Sequence, residues 1–415
     1  MGIRLHAFQG HVTRYPSSST ARKSRGPGVL RAVVTRPRRI AGRETAPLGP
    51  GCPRASPITV IAMLSICKML SVARAAVLGA SAAAACAMPV AAVAATPAAN
   101  DGPAYGPRLE GFAYPAPVHE YAFVSQRETL EMAYLDVQPA HPNGRTVVLL
   151  HGKNFCAATW EDTIGVLSRA GYRVIAPDQI GFCKSSKPER YQYSFQQLAR
   201  NTHALLESVG VKSATIIGHS TGGMLAIRYA LMYPKATDQL VLVNPIGLED
   251  WKALGVPPLS VDYWYARELK TNADGIRRYE QSTYYAGKWA PSYERWVQML
   301  AGMYRGAGRD AVAWNSALIY DMILTQPVVY ELGAIRVPTL LMIGDKDTTA
   351  IGKDVAPPDV HAKLGRYPEL AKRTQAAIPG AQLVEFPALG HAPQIQDPDA
   401  FHKALLDGLE AVHPQ

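Results

Sequence analysis

Gly218-His219-Ser220-Thr221-Gly222-Gly223 follows an apolar, β-branched run, Ala214 to Ile217, and precedes a helix-forming run, Met224 to Tyr233. A G-x-S-x-G pattern placed between a strand and a helix has a definite mechanical meaning. Small residues two before and two after the serine let the chain turn sharply, which lifts the Ser220 hydroxyl above the sheet as an exposed nucleophile. Without the flanking strand and helix the same residues would read as an ordinary turn, because glycine and serine are common.

A serine hydroxyl barely ionises at neutral pH, so it needs a base within hydrogen-bond reach and a third group to orient that base. Both stand further along the chain, each just past an apolar, strand-like run. Thr339 to Ile343 leads into Gly344-Asp345-Lys346-Asp347, and Gln382 to Phe386 leads into Leu389-Gly390-His391-Ala392-Pro393. The order is therefore Ser, Asp, His, which differs from the two common serine-protease orders and matches that of strand-turn-helix nucleophiles. Upstream, Thr146 to Leu150 ends in His151-Gly152-Lys153-Asn154-Phe155, a candidate oxyanion loop. Acyl transfer puts negative charge on the former carbonyl oxygen, and a fixed N–H donor to it is worth roughly 3 to 4 kcal/mol. The backbone amides of Lys153 and Thr221 are assigned this role. The Lys153 side chain either adds positive charge nearby or is solvated, as loop lysines usually are.

With these motifs in order, the chain resembles the α/β-hydrolase superfamily, in the branch with an inserted helical lid that holds esterases, cofactor-free perhydrolases, epoxide hydrolases and dehalogenases. The resemblance spans roughly residues 110 to 412. It rests on the His151-Gly152 loop, on Pro177-Asp178-Gln179-Ile180-Gly181-Phe182-Cys183-Lys184-Ser185, on the Ser220 elbow, on Gly344 to Asp347 and on Gly390-His391. One position departs from it. Cys183 stands where similar proteins carry glycine, so that turn needs something other than glycine's freedom in φ. A serine at the elbow argues against epoxide hydrolase and dehalogenase activity, which the superfamily runs on an elbow aspartate, and Thr221 argues against the aminopeptidases, which usually carry tryptophan there. What the resemblance implies is acyl transfer: carboxylesterase, lipase-like, amidase, C–C bond hydrolase or perhydrolase. A non-catalytic binding protein with this fold would announce itself by a missing triad member, and none is missing.

Other residues compete for these roles. Asp347 fits the superfamily's G-x-x-D position and is favoured as the acid. Asp345 would face the opposite side if the strand continued that far. His219 reads as a packing residue of the elbow, pointing away from the site, and His151 as a loop-shaping histidine. Asp178 resembles a structural aspartate capping the adjacent turn. His203, His361, His402 and His413 carry no motif.

Strands are expected at His119 to Ser125, Leu130 to Val137, Thr146 to Leu150, Arg173 to Pro177, Ala214 to Gly218, Gln239 to Val243, Thr339 to Ile343 and Gln382 to Phe386. Helices are expected at Thr159 to Ala170, Phe195 to Val209, Thr221 to Tyr233, Glu369 to Ala377 and Asp399 to Val412. This alternation predicts an α/β fold: a mostly parallel eight-stranded sheet with helices on both faces and ligands at the C-terminal strand ends. The core divides into residues 110–245 and 336–415. Between them, residues 246–335 lose the alternation and carry five of the six tryptophans (Trp251, Trp264, Trp289, Trp296, Trp314) and nine tyrosines such as Tyr284 and Tyr285. Most of these rings are expected to pack a helical lid onto the core, and some to line an apolar pocket over the nucleophile.

The net charge of +10 belongs to the N-terminus. The first hundred residues hold thirteen Lys or Arg and one acidic residue, Glu44; the remaining 315 hold 30 basic and 32 acidic residues. Basic charge confined to a Pro- and Arg-rich leader gives no reason to infer nucleic-acid binding. Lys68 and Arg74 precede a small-residue apolar run, Ala75 to Ala95, that reads as a secretory signal peptide (63–95) cleaved near Ala94 or Ala95, with a linker over 96–109. Such a segment starts late, so translation is expected to begin at Met63 or Met69, with 1–62 an extension without a fold. An uncleaved anchor is the competing reading, weakened by Pro89 and the alanine content. Removal of the leader leaves Cys156 and Cys183, which in the expected fold emerge from neighbouring strand ends. A disulfide between them, and a periplasmic or secreted location, support each other. The expected partner is a small-molecule substrate; no metal or organic cofactor is implied.

Overall fold

The computed structural model describes residues 102–411, so the expected leader, the signal segment and the start of the linker lie outside the described residues. The apolar runs become β1 (Val118–Ser125), β2 (Glu128–Val137), β3 (Thr146–Leu150), β4 (Arg173–Pro177), β5 (Ala214–His219), β6 (Thr237–Val243), β7 (Thr339–Gly344) and β8 (Gln382–Phe386). They form one sheet in the order β1-β2-β4-β3-β5-β6-β7-β8. The β1–β2 and β2–β4 pairs are antiparallel and every later pair is parallel.

The helices are α1 (Glu161–Arg169), α2 (Phe195–Ser208), α3 (Thr221–Met232), α4 (Val261–Glu268), α5 (Ala273–Tyr279), α6 (Glu294–Arg305), α7 (Arg309–Thr325), α8 (Pro358–His361), α9 (Tyr367–Ala377), α10 (Pro393–Gln396) and α11 (Pro398–Glu410). The central strands are apolar over most of their length because both faces are covered, and the period of two sorts their side chains into two cores. Val147 and Leu149 of β3 pack with Ile164 and Leu167 of α1 and Phe401, Leu405 and Leu409 of α11. Val148 and Leu150 face the other way, towards Leu198 and Leu205 of α2, Leu225 and Ile227 of α3 and Leu370 of α9.

From β3 the chain moves to β4 on one side; from β5 it moves to β6 on the other. The neighbours β3 and β5 thus flank the point where the strand order reverses, where such sheets leave a crevice at the C-terminal strand ends. The candidate oxyanion loop follows β3, and the Ser220 elbow follows β5.

Between β6 and β7 the chain leaves the sheet for the helical insertion that carries α4 to α7. The turns of α6 explain why it forms: Trp296, Leu300 and Met303 recur on one buried face. Ser260 and Asn272 cap α4 and α5 by accepting the N–H groups of Tyr263 and Gly275. Residues 103–109, expected to be linker, are instead packed. Tyr105 N–H donates to the Gly302 carbonyl of α6, Arg305 donates to the Pro103 carbonyl, and Leu109 is fully buried. Proline and glycine there read as a linker, whereas they allow the chain to lie flat against α6. Among the described residues no helix is long and apolar enough to cross a membrane.

Candidate active site

Ser220 sits between β5 and α3 with φ +57° and ψ −121°, a conformation that costs a non-glycine residue roughly 1 to 3 kcal/mol. Three backbone bonds hold it there. Ser220 N–H donates to the Val243 carbonyl, and the Ser220 carbonyl accepts from the N–H groups of Gly223 and Ile246. The elbow's small residues are dictated by contact: a Cβ on Gly222 would come within 2.2 Å of the Leu150 carbonyl oxygen. Ser220 is 5 % exposed.

The loops after β7 and β8 bring Asp347 and His391 together. His391 Nδ1 lies 2.6 Å from Asp347 Oδ2, and both side chains are fully buried. A carboxylate only accepts, so Nδ1 carries the proton and Nε2 presents its lone pair. Among the described residues Nε2 has no hydrogen-bond partner and Ser220 makes no side-chain hydrogen bond; catalytic hydrogen bonds are often long before substrate binds. Asp347 is itself held by Asn244 Nδ2 on Oδ2, at 2.9 Å, and by the Thr349 N–H on Oδ1, at 2.8 Å. Asn244 also accepts from the Gly344 N–H through Oδ1, so one side chain stitches the end of β6 to the acid loop. Sequence reasoning passed over Asn244. Its signal was a lone polar residue just after the apolar β6 run, in the same position relative to its strand as the other site residues. Asp345 turns elsewhere and makes no contact with His391 among the described residues.

The candidate oxyanion donors stand on neighbouring strand ends, since β3 and β5 pair through Leu150 and Gly218. Thr221 opens α3, so its N–H has no intrahelical acceptor. The Lys153 N–H donates to no backbone group among the described residues. Gly152 brings this loop against the nucleophile: a Cβ there would lie 2.9 Å from Ser220 Cβ. The Lys153 side chain is not solvated. It is 11 % exposed, donates to Ser316 Oγ at 2.7 Å and lies 3.7 Å from Glu268 Oε2. Burial pulls its ammonium below the ordinary lysine range, and the Glu268 charge opposes that shift.

The remaining histidines separate by their partners. His151 Nε2 accepts the Gln179 N–H, so its Nδ1–H donates to the Gly152 carbonyl, and the ring shapes the loop. His219 does not simply point away as expected. Its Nε2–H donates to the His391 carbonyl at 2.8 Å while its ring stacks on Phe155. Burial, and then the charge His391 would carry, push the His219 pKa well below its ordinary value. It is thus a neutral brace for the base loop. Asp178 caps its turn, accepting from Ala157 N–H, Lys184 N–H and the Tyr114 hydroxyl.

Cys156 and Cys183 are joined by a disulfide, their Cα atoms 5.9 Å apart. The bridge explains the missing glycine. Cys183 has φ +39°, the left-handed region that glycine usually fills, and the covalent link holds a non-glycine residue there.

A cavity of about 640 Å³ lies beside these loops, walled by Asn154 and Thr349 and, from the insertion, by Trp264, Thr283, Tyr304 and Tyr320. Ser220 is not itself on this wall. The insertion also touches the base directly: the carbonyls of Thr283 and Tyr284 accept the N–H groups of His391 and Ala392, and the Tyr284 ring lies 4.9 Å from the imidazole.

Comparison with known proteins agrees with this geometry. A probable hydrolytic enzyme from Pseudomonas aeruginosa PAO1, solved as a crystal structure, is 68 % identical, with a TM-score of 0.74 over 74 % of this chain and 99 % of its own. A 2-hydroxy-6-oxononadienedioate/2-hydroxy-6-oxononatrienedioate hydrolase of Comamonas testosteroni is 27 % identical over 64 % of this chain and 88 % of its own length. A 2-hydroxy-6-oxo-6-phenylhexa-2,4-dienoate hydrolase of Burkholderia cepacia is 28 % identical over the same shares. The family model for the alpha/beta hydrolase fold matches residues 145–398, from the oxyanion strand to the start of α11, and the chain therefore belongs to the alpha/beta hydrolase family.

Proposed function

We propose that the protein is a serine hydrolase acting on carboxylic esters of apolar or aromatic small molecules. The observation that carries this reading is the buried Asp347–His391 pair, which leaves Nε2 unpartnered at the strand ends beside the Ser220 elbow. In this reading Ser220 Oγ attacks the acyl carbon while His391 Nε2 takes its proton. The amides of Lys153 and Thr221 hold the oxyanion. Collapse expels the alcohol, which receives the proton from His391, and an acyl-enzyme remains. Water then attacks, again giving its proton to His391, and the acid departs with Ser220 regenerated. The helical insertion acts as a lid in this scheme: its aromatic rings roof the 640 Å³ cavity and keep bulk water from the acyl-enzyme. Domain boundaries follow from it, with the lid at 246–335 between two core segments.

The names of two relatives favour a second reading on the same residues. Their substrates contain no ester, so hydrolysis must break a carbon–carbon bond next to a ketone. Hydrolysis of p-nitrophenyl esters from acetate to dodecanoate, beside loss of the dienoate absorbance of 2-hydroxy-6-oxo-6-phenylhexa-2,4-dienoate, separates the two. Turnover of esters alone supports the first reading; dienoate turnover at a far higher kcat/KM replaces it. A perhydrolase would need peroxide for turnover of the same acyl-enzyme. Export is part of the proposal, supported by the apolar leader and by a disulfide, which persists in oxidising compartments. Fractionation of expressing cells, with the mass of the recovered chain, tests it; a cytosolic chain retaining Ala75 to Ala95 would overturn it.

A further inference from the structure

The helical insertion holds more than the roof of a cavity. Lys153 follows Gly152, the residue pressed against Ser220, and its side chain runs away from the sheet into the insertion. There its ammonium donates to Ser316 of α7, lies 3.7 Å above the Tyr320 ring and faces Glu268 of α4. Glu268 Oε2 also accepts from the hydroxyls of Ser316 and Tyr304, so two hydroxyls bond the buried oxygen that the ammonium faces. The next residue is tied as well: Asn154 Nδ2 donates to the Tyr284 hydroxyl at 3.0 Å.

We propose that the Lys153–Ser316–Glu268 cluster is a positioning device, by which the insertion sets the direction of the Lys153 N–H and so the competence of the oxyanion hole. The inference rests on the serine hydrolase reading. The loop leaving β3 is held on either side of Lys153, by the His151 ring before it and by the Phe155 N–H to Gly152 carbonyl bond and the Cys156–Cys183 bridge after it. The Lys153 side chain adds an anchor at the donor residue itself, four carbons long and fixed at its tip. A lysine and a glutamate this buried are costly unless paired and hydrogen-bonded, so the pair holds one arrangement rather than sampling several. Misplacing a catalytic donor by about 1 Å can cost 10²-fold in rate. Glu268, Tyr304 and Tyr320 also line the cavity, so the group that orients the donor is in reach of whatever fills it.

The test compares Glu268→Gln, Ser316→Ala and Lys153→Met with the parent, reading kcat and KM on a p-nitrophenyl ester together with the Ki of an arylboronic acid. Boron adds to the serine hydroxyl and presents a tetrahedral oxyanion mimic. The expected result is a fall in kcat of about ten- to a hundred-fold, a matching rise in boronate Ki, KM within about threefold and partial recovery in Lys153→Arg. A purely structural role would lower the melting temperature and leave kcat and Ki unchanged; that result overturns the inference. Ser316→Ala removes one hydroxyl and keeps the test valid if the charge variants do not fold. The parent chain separates the two levels. Labelling of Ser220 by a fluorophosphonate with unaltered kinetics in all three variants sinks only the positioning role, whereas no labelling and no ester turnover in the folded parent removes the hydrolase reading and this inference with it.

Discussion

The parallel sheet and the helical insertion touch the same site by different means. Every catalytic candidate comes from a loop that leaves a strand at its C-terminal end, and the strands hold those loops by ladders that are fully buried at β5 and β7 and partly exposed at β8. The insertion contributes none of the three candidate triad residues. It acts through contacts: the Thr283 and Tyr284 carbonyls on the base loop, Tyr284 on Asn154, and Ser316 and Glu268 on Lys153. In the proposed reading the difference is one of role: the sheet presents the groups that would react, while the insertion contacts the loops that carry them and walls the adjacent cavity.

Substitutions at the strand ends are expected to be the most damaging. Ser220→Ala removes the nucleophile and is expected to lower ester turnover by at least about 10³-fold with unchanged melting temperature. Asp347→Asn, which presents a donor to Nδ1 and spoils the tautomer, is expected to cost about 10⁴-fold in kcat. If either variant keeps near-normal turnover, the sheet is not the seat of the chemistry and the comparison fails.

Next in size is the bridge between the loops after β3 and β4. Cys156→Ser with Cys183→Ser is expected to cost about 2 to 4 kcal/mol in denaturant unfolding. Cys156→Ser with Cys183→Gly is expected to recover part of that loss, because φ +39° then needs no covalent restraint. Equal stability of the two double variants would show that the turn does not depend on backbone freedom.

Asn244→Ala separates holding from reacting on the sheet side. It leaves the triad intact and removes one donor from Asp347, and a loss of about ten-fold in kcat is expected, from a hydrogen bond to a charged group worth about 1.5 to 3 kcal/mol. A loss as large as that of Asp347→Asn would make the end of β6 part of the reacting set.

The insertion's own buried carboxyl reads out differently, as pH dependence. Glu280 opens the π-helical turn that braces His391, is fully buried, and has no partner on either oxygen among the described residues. Desolvation, and then the charge of Glu294, raise its pKa to about 8. A raised carboxyl pKa means that the native state keeps its proton after the unfolded chain has lost its own. Stability is therefore full below the ordinary glutamate range and falls as pH rises towards about 8. Glu280→Gln is expected to flatten that fall in melts recorded from pH 5 to 9; an unchanged slope would show that the carboxyl finds a partner.

The core was legible because its signals are local and repeated. All eight strands lie within two residues of their expected ends: the inner ones because strands covered on both faces are mostly apolar, and the partly exposed β1, β2 and β8 because alternation and bounding prolines or glycines mark them. Ser220, Asp347 and His391 could be proposed as a set because each follows a strand, and the structure places Asp347 against His391. Asn244, His219 and the Lys153 side chain were not legible, for a common reason. Asn244 acts on a residue about a hundred positions away, His219 on a carbonyl 172 away and Lys153 on a hydroxyl 163 away. No spacing along the chain encodes such pairs. The segment 103–109 read as linker because proline and glycine mark loops, while its packing depends on the surface that α6 offers.

The sequence by itself determined the sheet, the order of the motifs and the chemical types at the site, because hydrophobic periodicity and turn chemistry act over a few residues. Only the tertiary structure decided which side chains support the reacting groups, why a cysteine serves in a glycine's place and what the insertion does to the loops beneath it. Those depend on groups distant in sequence meeting in a dry interior, where an unpaired polar atom is costly and each partner fixes the other.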